Sequence, residues 1–189
     1  MQRVLPICLA LTTAALATAA LADAQSGGAT TRSTSTGTTT APPASENPGQ
    51  DFFHDALIKD ARTLSAIRKA LSSGADVVDP ATQYADLTGD GKQDAIVRVH
   101  STGAAGVVAA FVFSTDGAPK GDLRVLFRSQ SLYRAVTMVA DGEQLQIDEP
   151  LFAAGDELCC PSRLTRRRYR FSKNSRQFAR TSRERITLR

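Results

Sequence analysis

Apolar residues recur along this chain in two rhythms, one helical and one of strands. Phe53, Leu57, Leu64, Ile67 and Leu71 are spaced by 4, 7, 3 and 4 residues, which lines one side of a helix. Pro48 and Asp51 open this predicted helix, which runs to about Ser73. Gly74 follows where a left-handed cap is wanted, and Lys59, Arg62 and Lys69 take the opposite face. From residue 95 the rhythm becomes that of strands. Ala95 to Val99 alternates, and Val107 to Phe113 is apolar throughout, as in a central strand covered on both faces. Leu123, Val125 and Phe127 alternate with Arg124 and Arg128. Tyr133 to Val139 and Leu145 to Ile147 meet across Asp141-Gly142, a hairpin signal because both turn positions need positive φ. Arg163 to Phe171 and Phe178 to about Leu188 bracket a third turn at Lys173-Asn174-Ser175.

These elements predict an α+β domain, with one N-terminal amphipathic helix packed on a mostly antiparallel, meandering sheet of six to eight strands. A sheet distorted toward a barrel is the alternative. No repeat of 20–50 residues is visible, which counts against a propeller.

Composition sets the boundaries. Residues 1–24 read as a signal peptide: Arg3 is followed by the mostly apolar run Val4 to Leu16 and then by small residues. Residues 25–50 are almost wholly Ser, Thr, Gly, Ala and Pro. Nothing there offsets the entropy of ordering, so a disordered linker is expected. Residues 51–189 suit a single globular domain. The expectation is an exported protein with no transmembrane segment, periplasmic, wall-associated or secreted.

Within the domain, Asp86-Leu87-Thr88-Gly89-Asp90-Gly91-Lys92-Gln93-Asp94 has the form of a calcium loop. Asp86, Thr88, Asp90 and Asp94 place oxygens at positions 1, 3, 5 and 9, and the Lys92 carbonyl falls at position 7. The bidentate Glu of an EF-hand is replaced by Val97. The loop therefore predicts weak calcium binding.

Cys159 and Cys160 are adjacent and are the only cysteines after residue 24. In an oxidising compartment they are expected to form a vicinal disulfide that staples a loop already stiffened by Pro161. A redox switch, a bond to another molecule and two reduced thiols are the other readings. Zinc is disfavoured by the spacing of His54 and His100.

Charge is split along the chain. Residues 51–162 carry 16 acids and 10 bases, whereas residues 163–189 carry 11 bases and the single acid Glu184. Arg166, Arg168 and Arg170 fall on one strand face. They form a candidate site for an anionic envelope polymer, or a solvated edge protected from aggregation. Tyr169 and Phe171 lie on the other face, so nucleic acid is not expected.

No nucleophile elbow, metalloprotease helix or phosphate-cradling glycine loop is present, which points away from catalysis. A small secreted hydrolase or thiol-redox protein is the rival reading. The acidic loop leading into a Val-rich strand resembles the loops of FG-GAP and VCBS repeats. Together with Cys159-Cys160-Pro161-Ser162 before Tyr169 and Phe171, it resembles the LppP/LprE lipoprotein family of actinobacterial envelopes. That resemblance implies an envelope domain without established chemistry. This chain lacks the family's lipidated cysteine. The function expected is thus a non-catalytic domain, calcium-supported, that binds an anionic envelope component or another envelope protein.

Overall fold

The computed structural model describes residues 48–118 and 120–188. The predicted signal peptide and the linker as far as residue 47 lie outside the described residues.

Two helices open the described chain, α1 (Pro48–Lys59) and α2 (Ser65–Ser73). Nine strands follow: β1 (Asp76–Val78), β2 (Gln83–Ala85), β3 (Asp94–Ser101), β4 (Val107–Ser114), β5 (Arg124–Gln130), β6 (Val136–Ala140), β7 (Gln144–Leu151), β8 (Arg163–Ser172) and β9 (Gln177–Thr187). The class is α+β and the pairing antiparallel, as expected. Finer expectations are corrected. Among the described residues there are two helices rather than one, and, opening at Pro48 as the sequence marked, they precede the strands without being N-terminal in the chain. Residues 48–50 are thereby helical, not linker. There are nine strands rather than six to eight, and they form two sheets instead of one.

The helix breaks where Asp60 competes for the backbone. Its Oδ1 accepts the Arg62 amide at 3.1 Å, and its carbonyl accepts the Thr63 amide at 3.0 Å. Such local bonds offer the chain an alternative to helical ones. Because Leu57, Ile67 and Leu71 stay buried on both sides of the break, the apolar stripe gives no sign of it. Gly74 supplies the predicted left-handed cap at φ 75°, its amide donating to the Leu71 carbonyl.

The first sheet runs β1-β3-β4-β5, with β2 also pairing β3; the second runs β6-β7-β8-β9. β4 is covered on both faces, as its unbroken apolarity requires. Ala109, Phe111 and Phe113 meet Phe53, Leu57, Ile67 and Leu71 of the helices. Ala110 and Val112 turn the other way, to a core shared with Leu145 and Ile147 of the second sheet. The layers are therefore helices, first sheet, second sheet. Phe127 of β5 joins the two sheets, its ring 4.8 Å from Tyr169 and 5.6 Å from Phe178. The hairpin at Asp141-Gly142 has both residues at positive φ, 50° and 75°.

Candidate functional site

Three features singled out by the sequence fall in three different places. The acidic loop precedes β3 and closes on its own backbone. Asp86 accepts the Gly89 amide at 2.7 Å and the Asp90 amide at 3.1 Å through Oδ1, and the Gly91 amide at 2.9 Å through Oδ2. Asp90 Oδ1 accepts the Lys92 amide at 2.9 Å. Asp94 is buried, and its Oδ2 accepts the Leu87 and Thr88 amides at 2.8 and 2.9 Å. Burial pushes the Asp94 carboxyl above the ordinary aspartate value, against the Ser114 hydroxyl and those two amides. Lys173, from the β8–β9 turn, donates to the Gly89 carbonyl at 2.8 Å.

Two observations bear on whether calcium suits this loop. Thr88 Oγ1, at position 3 of the loop, is buried and meets no partner in normal hydrogen-bond geometry, the Asp94 carboxyl being its polar neighbour. Asp94 forms no ion pair among the described residues. Oxygen of these two residues is what a hard cation would draw on, whereas Asp86 and Asp90 already accept amides of the loop itself. The Lys92 carbonyl remains the ligand assigned by spacing alone.

The cysteines lie in the loop between β7 and β8. Asp156 braces that loop, its Oδ2 accepting the Ala153 amide at 2.6 Å and the Ser162 amide and hydroxyl at 2.9 Å. Cys159 and Cys160 are both exposed, with no bond drawn between them. The Cys160 amide donates to the Glu157 carbonyl at 2.9 Å, which closes a backbone turn just before Pro161. The Cys160 thiol, then desolvation and the Glu157 carboxylate, hold the Cys159 thiol above its usual value. Cys159 lines a cleft of about 230 Å³ with Val136, Leu158, Pro161 and Leu188.

The three arginines of β8 share a face as predicted, yet differ in what they meet. Register sets Arg166 opposite Asp148, Arg168 opposite Gln146 and Arg170 opposite Gln144. Arg166 donates to Asp148 through Nε and Nη2 at 3.0 and 2.8 Å. Arg168 Nε donates to Gln146 Oε1 at 3.1 Å, and Gln146 Nε2 in turn to Asp148 at 3.1 Å. Arg170 is exposed and has no acidic partner among the described residues.

The other face of this hairpin carries cations that the row of three did not include. Arg180, Arg183 and Arg185 stand opposite Tyr169, Arg167 and Thr165. All three are exposed and, among the described residues, form no ion pair. Alternation along β9 groups Arg183 with Arg185 but sets Arg180 on the opposite face, and only the register shift between Arg168 and Tyr169 brings it round.

That face continues toward a groove of about 550 Å³ between the edge strands β5 and β9. Arg62, Arg124, Arg128 and Arg176 line it, over Phe127 and Phe178. Two aspartates set these guanidinium groups. Asp60 Oδ2 accepts Arg128 Nε and Nη2 at 2.9 and 2.5 Å, and Arg62 Nε is 3.8 Å from Asp60 Oδ1. Asp116 accepts Arg124 Nε and Nη2 on its carbonyl at 3.1 and 2.7 Å, and Arg176 Nη2 on its carboxylate at 2.9 Å. Sequence reasoning could not assemble this set, since Arg62 and Arg176 lie far apart in the chain.

The histidines have separate partners. His100 Nε2 is 3.1 Å from Asp79 Oδ2, and His54 Nε2 is 3.4 Å from the Leu71 carbonyl. Among the described residues no group of three or more His, Cys, Asp or Glu side chains is gathered as a metal-ligand set. No helix among them is long and apolar enough to cross a membrane. Comparison with known proteins found no matching family model, no matching curated protein and no matching solved structure.

Proposed function

We propose that this chain is an exported, non-catalytic envelope or extracellular domain that docks on an anionic envelope polymer through its C-terminal hairpin. One observation carries the reading: Arg180, Arg183 and Arg185 are exposed on one face of β9 without a carboxylate partner among the described residues, and Arg170 is exposed likewise on the opposite face of the hairpin. Arginines left uncompensated on one element draw anionic surfaces by long-range attraction that salt screens. Arg166 and Arg168 contribute less, because Asp148 and Gln146 already engage them.

Calcium belongs to this reading as a support of the fold, held by Asp86, Thr88, Asp90, Asp94 and the Lys92 carbonyl. The buried Asp94 carboxylate and the buried Thr88 hydroxyl beside it are what favour it. The resemblance to envelope lipoproteins agrees with the location proposed but supplies no ligand.

The test is retention of the protein on phosphate-bearing resin and on purified wall material under a salt gradient. Arg180→Ser, Arg183→Ser and Arg185→Ser combined should elute at clearly lower salt than the parent. Equal elution of the two would remove the hairpin from the account.

A further inference from the structure

The groove between β5 and β9 has the make-up of a site for one small anion rather than of a surface. Four guanidinium groups line it, and two carboxylates, Asp60 and Asp116, answer them. Two positive charges are left over. None of the residues lining the groove is acidic.

The four arginines are not equivalent. Arg128 spends Nε and Nη2 on Asp60 and Nη1 on the Val125 carbonyl, so it is a fixed wall. Arg176 keeps donors beyond the Nη2 that meets Asp116. Arg124 bonds only a carbonyl, which leaves its charge uncompensated. Arg62 is 74% exposed and stands 3.8 Å from an aspartate already engaged by Arg128. Arginine presents a planar fork suited to paired oxygens of a phosphoryl group. Forks already oriented by Asp60 and Asp116 lose less freedom when a ligand arrives. The floor is different in character, since Phe127 and Phe178 lie with ring centres 5.6 Å apart. Strongly basic walls over an aromatic floor fit an anion with an organic body.

We infer that this groove binds the terminal phosphate of a larger ligand, a phosphate monoester whose organic part rests on Phe127 and Phe178. The inference rests on the anion-docking reading above and gives it a specific pocket. Arg62, Arg124 and Arg176 grip the phosphoryl oxygens, and Arg128 shapes the wall. Gly117 makes the placement of Arg176 possible, because a Cβ at this position (φ 62°) would overlap that guanidinium.

The experiment is calorimetric titration of the full chain with phenyl phosphate, inorganic phosphate and sulfate at matched ionic strength. Phenyl phosphate should bind about fivefold or more tighter than inorganic phosphate, the added ring burying apolar surface on the floor. Arg62→Ser with Arg124→Ser should weaken phenyl phosphate by about tenfold or more, two charge-assisted contacts being lost. Arg62→Ser alone, at a largely exposed side chain, keeps the test open if the pair fails to fold. The β9 triple variant should change phenyl phosphate affinity by no more than about twofold, since it leaves the groove intact. Phenyl phosphate binding that ignores the groove substitutions, or that is no tighter than sulfate, overturns the pocket. If resin retention persists in that case, the hairpin reading survives; if retention fails as well, both fall.

Discussion

Arg166 closes on Asp148 across β7 and β8 with both arms of its fork, Nε at 3.0 Å from Oδ1 and Nη2 at 2.8 Å from Oδ2. The contact raises the Arg166 pKa further, through the Asp148 hydrogen bond and against desolvation. Asp148 is mostly buried, so losing the arginine leaves its charge uncompensated, with only the Gln146 amide still donating to it. Removing one partner of a fully buried pair costs roughly 3–5 kcal/mol. Because Arg166 keeps 27% of its surface, Arg166→Ser should cost less, about 2 kcal/mol in urea unfolding. Arg170→Ser should stay within about 0.5 kcal/mol. Equal costs at the two positions would show that the row is uniform after all.

Gly117 and Arg176 form a second coupled pair. Gly117 sits at φ 62°, and the Arg176 guanidinium occupies the space of a missing Cβ. Gly117→Ala should therefore cost about 1 kcal/mol for the left-handed backbone and something more for the displaced ion pair with Asp116. A double-mutant cycle separates these parts: with Arg176→Ala already present, Gly117→Ala should lose only its backbone cost. Strictly additive effects would mean that the contact carries no energy.

The core was legible in the sequence, and the assembly of the arginines was not. Val107 to Phe113 announced a strand covered on both faces because neither alternation offers a polar side. Asp141-Gly142 announced its turn because few other pairs accept positive φ twice. By contrast, β1 and β2 are three residues each and carry no period to read. The break at Asp60 left the apolar stripe in phase. Which sheet a strand joins depends on contacts such as Phe127 with Phe178, and local patterning does not encode them. The groove needed such contacts, since the α1–α2 turn, the β4–β5 turn and the β8–β9 turn each send residues to it or brace them.

Asp60 gives the fold an acid-sensitive joint. Burial alone would raise its carboxyl, but the Arg128 hydrogen bonds, the Arg62 amide and the two guanidinium charges outweigh it and hold the group below the ordinary aspartate value. An acid with a lower pKa folded than unfolded adds stability above its unfolded value, and that stability is lost as pH falls through the folded value. Asp60→Asn should thus be less stable than the parent at neutral pH and show a shallower loss on acidification. Parallel stability curves for parent and variant down to the acid limit would contradict this joint.

Cys159 should alkylate slowly. Its thiol is fully exposed yet held above its usual value by Cys160 and then, after desolvation, by Glu157, whose Oε2 lies 3.5 Å from Sγ. Reaction with iodoacetamide needs the thiolate. At neutral pH the rate should fall below that of an unstructured cysteine peptide, and Glu157→Gln should raise it. The intact mass of the untreated protein reports directly whether the two hydrogens of a vicinal dithiol are present.

Thr88 offers the cleanest route to the calcium question, because its hydroxyl is buried beside the Asp94 carboxyl without a partner in normal hydrogen-bond geometry. An unmet buried hydroxyl costs roughly 1–3 kcal/mol, and a bound hard cation would remove that cost. In chelator, Thr88→Val should be as stable as the parent or more so, since it deletes an unsatisfied group at similar volume. In millimolar calcium the order should reverse. The parent should gain several degrees in melting temperature by binding linkage, and the valine variant should gain less. Asp94→Asn should respond least, having lost a carboxylate ligand. If all three proteins melt alike with calcium and with chelator, the loop is an acidic turn that its own amides and Lys173 hold closed.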